Sequence, residues 1–151
     1  MLSLKRTTAK NPPFVQLVAQ LDAYLSLTDG EEHVFFHQFN SIYAQQEVVV
    51  AYWGDQAVGC GAMRKLDETT IEVKRMFTLP ECRGKGIARA VLAHLEEWAV
   101  ELGFDRIILE TGARQPEAIA LYQNCGYKEI DCYVPYEAVD NSHCFEKQLQ
   151  M

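Results

Sequence analysis

Residues 80–89 read PECRGKGIAR. Two glycines, Gly84 and Gly86, stand among three cations, Arg83, Lys85 and Arg89. An amphipathic pattern follows at once. Ile87, Val91, Leu92, Leu95, Trp98, Ala99 and Leu102 recur at steps of three and four, which predicts a helix that Gly103 ends. A glycine-rich turn opening a helix offers unpaired backbone N–H groups and the positive end of the helix dipole. That arrangement holds anions, phosphate above all. The chain as a whole carries a formal charge of -7, so a local run of cations argues for a local purpose.

Spelling removes two common phosphate loops. The Walker pattern needs Ser or Thr after Gly-Lys, and Gly86 follows Lys85. The dinucleotide fingerprint needs a third small residue where Arg89 stands, within a parallel βαβ unit that the flanking pattern lacks. Bulk properties bound the rest. A length of 151 residues predicts one domain over residues 1–151. Hydrophobic content of 48% and charged content of 23% fit a globular domain. The acidic balance argues against non-specific nucleic-acid or anionic-membrane binding. No apolar run approaches the roughly 20 residues of a membrane span, and MLSLKRTTAKNPP has no apolar segment after its cations. Five cysteines without C-x-x-C spacing read as reduced thiols in a cytoplasmic protein. His33 and His37 lie four apart, but two ligands do not complete a site, so no metal is expected.

Working outward, residues 2–8 predict a strand. From Pro12, the residues Phe14, Leu17, Val18, Leu21 and Leu25 predict a helix, and residues 32–43 a shorter one. The β-branched run Val48, Val49, Val50, then Gly54-Asp55, then a second apolar run read as a hairpin. Asp67 and Glu68 form the next turn before a strand over 70–78, giving three strands in an antiparallel meander. After the amphipathic helix come a strand over 105–111, a helix over 115–124 closed by Gly126, and two strands in 127–149. The order defines a mixed α/β domain.

Arg83-x-x-Gly86-x-Ala88, between a strand and a helix, resembles motif A of the GNAT N-acetyltransferase superfamily. A second block, QPEAIALYQNCGY from Gln115 to Tyr127, resembles motif B through Ala118, Leu121, Tyr122, Gly126 and Tyr127. Gln115 stands where Asn is usual, which puts its contact to the coenzyme's pantetheine arm in question. The resemblance covers residues 46–127. It implies the GNAT acyl-CoA N-acyltransferase fold: a central, mostly antiparallel sheet flanked by helices, with two parallel strands, 70–78 and 106–111, splayed into a V. It further implies acetyl-CoA as co-substrate. The backbone of Gly84, Lys85, Gly86, Ile87, Ala88 and Arg89 would hold the pyrophosphate, beside Arg83. Met76, Phe77 and Thr78 would pair with the pantetheine amides, with Gln115 and Tyr122 as further contacts.

The implied chemistry is direct attack of a primary amine on a thioester. A backbone N–H near Phe77 can polarise the carbonyl. Tyr122 is the leading general acid for the departing thiolate. Two carboxylates compete as general base: Glu72 on the strand before the loop, and Glu110 on the facing strand. Either one would serve equally as half of a salt bridge to Lys74, Arg75 or Arg106. Cys82, before the loop, reads as incidental, and Phe35, Phe36 and Phe39 read either as core residues of a short helix or as a wall of the acceptor site. The acceptor, a small-molecule amine or a peptide or protein amine, has no diagnostic motif. Many members of the family form homodimers, and no motif here decides that. The competing reading is a non-catalytic domain that senses acyl-CoA, for which the loop alone would suffice.

Overall fold

The computed structural model describes residues 1–29, 47–112, 116–133 and 142–149. The expected helix over 32–43, with its phenylalanines and histidines, and Gln115 lie outside these residues. The described chain runs β1 (Leu2–Thr7), α1 (Pro12–Asp29), β2 (Glu47–Trp53), β3 (Gln56–Lys65), β4 (Thr70–Thr78), a 3-10 turn (Pro80–Cys82), α2 (Ile87–Glu101), β5 (Arg106–Gly112), α3 (Pro116–Asn124), β6 (Lys128–Ile130) and β7 (Ser142–Gln148). Among the described residues, the sequence pattern anticipates the order of strands and helices, and the bounds of β1, β4, α2, β5 and α3 match within about a residue. It misses the 3-10 turn, where Pro80 starts three residues that carry the chain off the sheet. The helix α1 starts at Pro12 as expected, and the Asn11 side chain, which the pattern did not mark, accepts the Phe14 N–H at 3.1 Å and so caps the first turn.

The strands form one seven-stranded sheet in the order β1-β2-β3-β4-β5-β7-β6. Every pair is antiparallel except β4 with β5, so the expected meander and parallel pair are both present. Both α1 and α2 lie over β2, β3 and β4, which requires opposite faces. On the α2 face, Val91 and Leu95 approach Gly61 so closely that a Cβ there would meet each at 2.9 Å, and the Met76 sulfur at 2.6 Å. Phe145 on β7 joins the same face through its ring contacts with Tyr122 of α3.

Two irregularities position the site. First, β4 and β5 pair only from Thr70–Arg106 to Val73–Leu109, while both strands run on to Thr78 and Gly112. The parallel strands therefore fork after four residue pairs. Second, β4 carries a bulge at the fork. Lys74 faces Ala62 and Phe77 faces Cys60, so Arg75 and Met76 together oppose the single residue Gly61. The extra residue reverses the side-chain alternation. Lys74 shares the α1 face with Glu72, whereas Met76 turns to the α2 face against Gly61.

The cysteine expectation needs correction. Cys132 and Cys144 are disulfide-bonded, with their Cα atoms 5.1 Å apart, while Cys60, Cys82 and Cys125 are free. The reason is register, not spacing. β6 runs antiparallel to β7 with Ile130 opposite Cys144, which brings the residues just beyond β6 alongside the start of β7. Among the described residues, no helix is long and apolar enough to cross a membrane, and no group of three or more His, Cys, Asp or Glu is arranged to hold a metal.

Candidate active site

The glycine loop is built by backbone conformation. Gly84 and Gly86 both have φ of 80°, a region that side chains with a Cβ rarely adopt. No atom lies within 4 Å of where a Cβ would sit at either glycine, so the requirement is conformational and not steric. Gly86 is the N-cap of α2 and receives no side-chain cap. The first intrahelical bond runs from the Ala90 N–H to the Gly86 carbonyl, so the N–H groups of Ile87, Ala88 and Arg89 have no partner inside the helix. Arg83 does not simply point outward as a free cation. Its Nε–H donates to the Thr78 carbonyl at 3.2 Å, clamping the loop to the end of β4. Lys85 sits with its ammonium 5.9 Å from the ring centre of Trp53.

Two clefts meet at this loop. The larger, of 360 Å³, is lined by Met76, Phe77 and Thr78 from β4, Arg83, Gly84 and Ala88 from the loop and helix start, Glu117, Ala118, Leu121 and Tyr122 from α3, and Leu21 from α1. The smaller, of 220 Å³, includes Cys82, Gly86, Ile87 and Arg89. They share Thr78, Arg83, Gly84, Ala88 and Leu121, so a channel runs from the helix N-terminus along the free edge of β4 to Tyr122. Leu21 and Glu117 were not singled out from sequence. Leu21 belongs to an apolar stripe that looks like ordinary core.

Tyr122 is 5% exposed and packs its ring 5.9 Å from Tyr127 and 6.0 Å from Phe145. Burial, aided by the nearby charge of Glu110 and by Cys125, pushes its phenol well above the ordinary tyrosine range. The hydroxyl therefore stays protonated at any ordinary pH.

The two carboxylates differ in what surrounds them. Neither of them lines either cleft, and Glu72 is 0% exposed. Arg64 Nη2 lies 2.9 Å from one of its oxygens. The other receives the Tyr133 hydroxyl at 2.8 Å and lies 3.8 Å from Lys74 Nζ. Burial lowers the pKa of Lys74, against the pull of Glu72 and Glu110. Glu110 lies on β5 beyond its last rung with β4, half-buried, and accepts a hydrogen bond from Ser142 Oγ at 2.7 Å. Its charge acts on both Tyr122 and Lys74. Tyr133 and Ser142 carried no sequence signal, because each reaches its carboxylate only through tertiary placement.

The channel thus follows the open edge of one forked parallel strand and ends in a glycine loop at a helix N-terminus. Residues 15–127 match the model of the Acetyltransferase (GNAT) family, and the chain belongs to that family. It is 33% identical over 150 residues to an IAA acetyltransferase of Azospirillum brasilense, covering 98% of each chain. A crystal structure from Klebsiella pneumoniae subsp. pneumoniae, of a protein assigned as an acyl-CoA N-acyltransferase, superposes with a TM-score of 0.84 at 29% identity, covering 99% of both chains. A GNAT family acetyltransferase from Elizabethkingia anophelis, solved with acetyl-CoA bound, has the same fold at a TM-score of 0.70 and 17% identity, covering 98% of both chains.

Proposed function

We propose that the protein transfers an acetyl group from acetyl-CoA to a primary amine by direct attack. The observation that carries this reading is the continuous channel from the helix N-terminus to Tyr122 along the free edge of β4. The N–H groups of Gly84 to Arg89 suit a pyrophosphate, and the unpaired edge of Met76, Phe77 and Thr78 suits the pantetheine amides. The acetyl-CoA-bound relative supports this choice of donor.

In this reading a neutral amine adds to the thioester carbonyl, forming the C–N bond. A backbone N–H near Phe77 stabilises the oxygen as it becomes negative. Collapse then breaks the C–S bond. The raised pKa of Tyr122 argues against a free tyrosinate, so its phenol donates to the departing thiolate only as the ammonium formed by attack releases its own proton. Glu110, beyond the last rung between β4 and β5 and with its charge acting on Tyr122, takes the ammonium proton, directly or through water, and passes it on to the Tyr122 oxygen, so that phenol and carboxylate are both regenerated. Glu72, with both oxygens engaged, serves the fold.

The test is release of free thiol from acetyl-CoA across a panel of small amines, amino acids and peptides, with IAA included because the Azospirillum brasilense relative is named for it. Turnover with an amine is the expected result. Tight CoA binding with no acceptor anywhere in the panel would replace the enzyme with an acyl-CoA sensor.

A further inference from the structure

The strained residue of the bulge is a charged one. Arg75 has φ of 59°, alone among the described non-glycine residues in taking a positive value. A bulge that needs this conformation is ordinarily served by glycine. A residue with a Cβ persists there when its surroundings over-determine it, and such residues gather at functional sites. The surroundings here are specific. The Arg75 side chain is 2% exposed, and its Nη1 donates to Asp22 Oδ1 of α1 at 2.6 Å. The Cys60 thiol donates to the Arg75 carbonyl at 3.4 Å, holding the same residue from β3.

Neither Asp22 nor Arg75 lines the channel, but the residue before one and the residue after the other do. Leu21 and Met76 form walls of the larger cleft on α1 and β4. The pair thus ties together the two walls that meet at the fork. We propose that the Asp22–Arg75 ion pair is a positioning device for acetyl transfer: it locks the β4 bulge so that the backbone N–H of Met76, next to the bulge and before Phe77 turns to pair with Cys60 of β3, meets the thioester carbonyl. The inference rests on the acetyltransferase reading above. Arginine suits this task better than glycine because it fixes the bulge from outside, through a side chain anchored on another element. A glycine would permit the conformation without enforcing it. Neither residue touches substrate, so their effect should appear in the chemical step and not in coenzyme affinity.

The experiment measures steady-state acetyl transfer and calorimetric CoA binding for R75G, D22N, D22E and the double variant D22N/R75G. R75G is the informative substitution, because glycine accepts φ of 59° without strain. R75G and D22N should each lose roughly 10- to 100-fold in kcat, the cost of a small misalignment at a reacting centre. CoA affinity and the KM for acetyl-CoA should stay within about twofold. The double variant should be no slower than the worse single one, as befits two halves of one interaction. D22E, which keeps the charge, should recover part of the rate. If R75G fails to fold, D22N against D22E decides alone, since Asp22 is partly exposed. Wild-type kcat in folded R75G, a kcat loss matched by CoA affinity, or multiplicative losses in the double variant would overturn the proposal. Absence of turnover in the unmodified protein would instead overturn the acetyltransferase reading, and the proposal with it.

Discussion

The hydroxyl of Tyr133 donates a 2.8 Å hydrogen bond to Glu72, a carboxylate that no solvent reaches. The same carboxylate faces Arg64 on the neighbouring strand and Lys74 two residues along its own. Removing it would leave two cations in a buried setting without their counter-charge. Glu72→Ala should therefore cost about 3–5 kcal/mol. Tyr133→Phe should cost about 1.5–3 kcal/mol, the range for a hydrogen bond to a charged group. Urea denaturation checks both. Glu110→Gln should behave oppositely, leaving the denaturation midpoint nearly unchanged while lowering kcat roughly 10- to 100-fold. If Glu72→Gln lost activity without losing stability, the two roles would have to be exchanged.

Tyr122→Phe should reduce kcat at least 100-fold or so while CoA affinity changes little, because the ring and its packing are kept. Single-turnover thiol release beside equilibrium CoA binding separates the two. Unchanged turnover would remove the phenol from the reaction.

Alkaline pH should weaken the fold through the same ring and its neighbour. Burial first, then Glu110 and Cys125, raise the pKa of Tyr122. Burial first, then Glu96, raise that of Tyr127, whose hydroxyl donates to Glu96 at 2.9 Å. Above the ordinary tyrosine value of about 10, the unfolded chain releases these protons while the folded chain keeps them, so stability falls as pH rises. Cys60, pushed up to about 12 by burial, adds to the same slope from slightly lower pH. Urea midpoints between pH 8 and pH 11 should decline, and Tyr127→Phe should flatten the decline.

The glycines of the loop and the sheet should fail for different reasons. Gly84→Ala and Gly86→Ala meet open space, so each should cost about 1–2 kcal/mol of backbone strain and weaken CoA binding. Gly61→Ala would drive a methyl group into Met76, Val91 and Leu95, disturbing the bulge from behind. It should lower thermal stability and kcat together. Thermal melts with CoA titrations distinguish these patterns.

The Cys132–Cys144 bond closes a short loop at the end of the sheet, with a sequence separation of 12. Reduction should cost about 2–3 kcal/mol on chain-entropy grounds. Thiol labelling of the denatured chain should modify three cysteines before reduction and five after it.

What the sequence made legible was whatever local pattern writes. The loop glycines declare their conformation by being glycines, and the stripe from Ile87 to Leu102 declares a helix. The meander follows from Val48–Val50 and the turns after it. What stayed hidden depends on register. Arg75 gives no sign of a left-handed backbone, because the residue type that normally signals one is absent. The partners of Glu72 come from β3 and from a segment 61 positions later, so the chain order does not show whether it is a base or half of a salt bridge. The pairing of Cys132 with Cys144 depends on which residue of β7 faces Ile130.

The sheet can also be regarded as two antiparallel blocks, β1 to β4 and β5 with β7 and β6, welded along four residue pairs. A pantetheine arm lying in the fork would lengthen that weld with hydrogen bonds the polypeptide does not supply. Coenzyme would then act as mortar between the blocks as well as acyl donor. At a hundred times its dissociation constant it would add about 2.7 kcal/mol to the stability of the whole, with the gain concentrated at the joint.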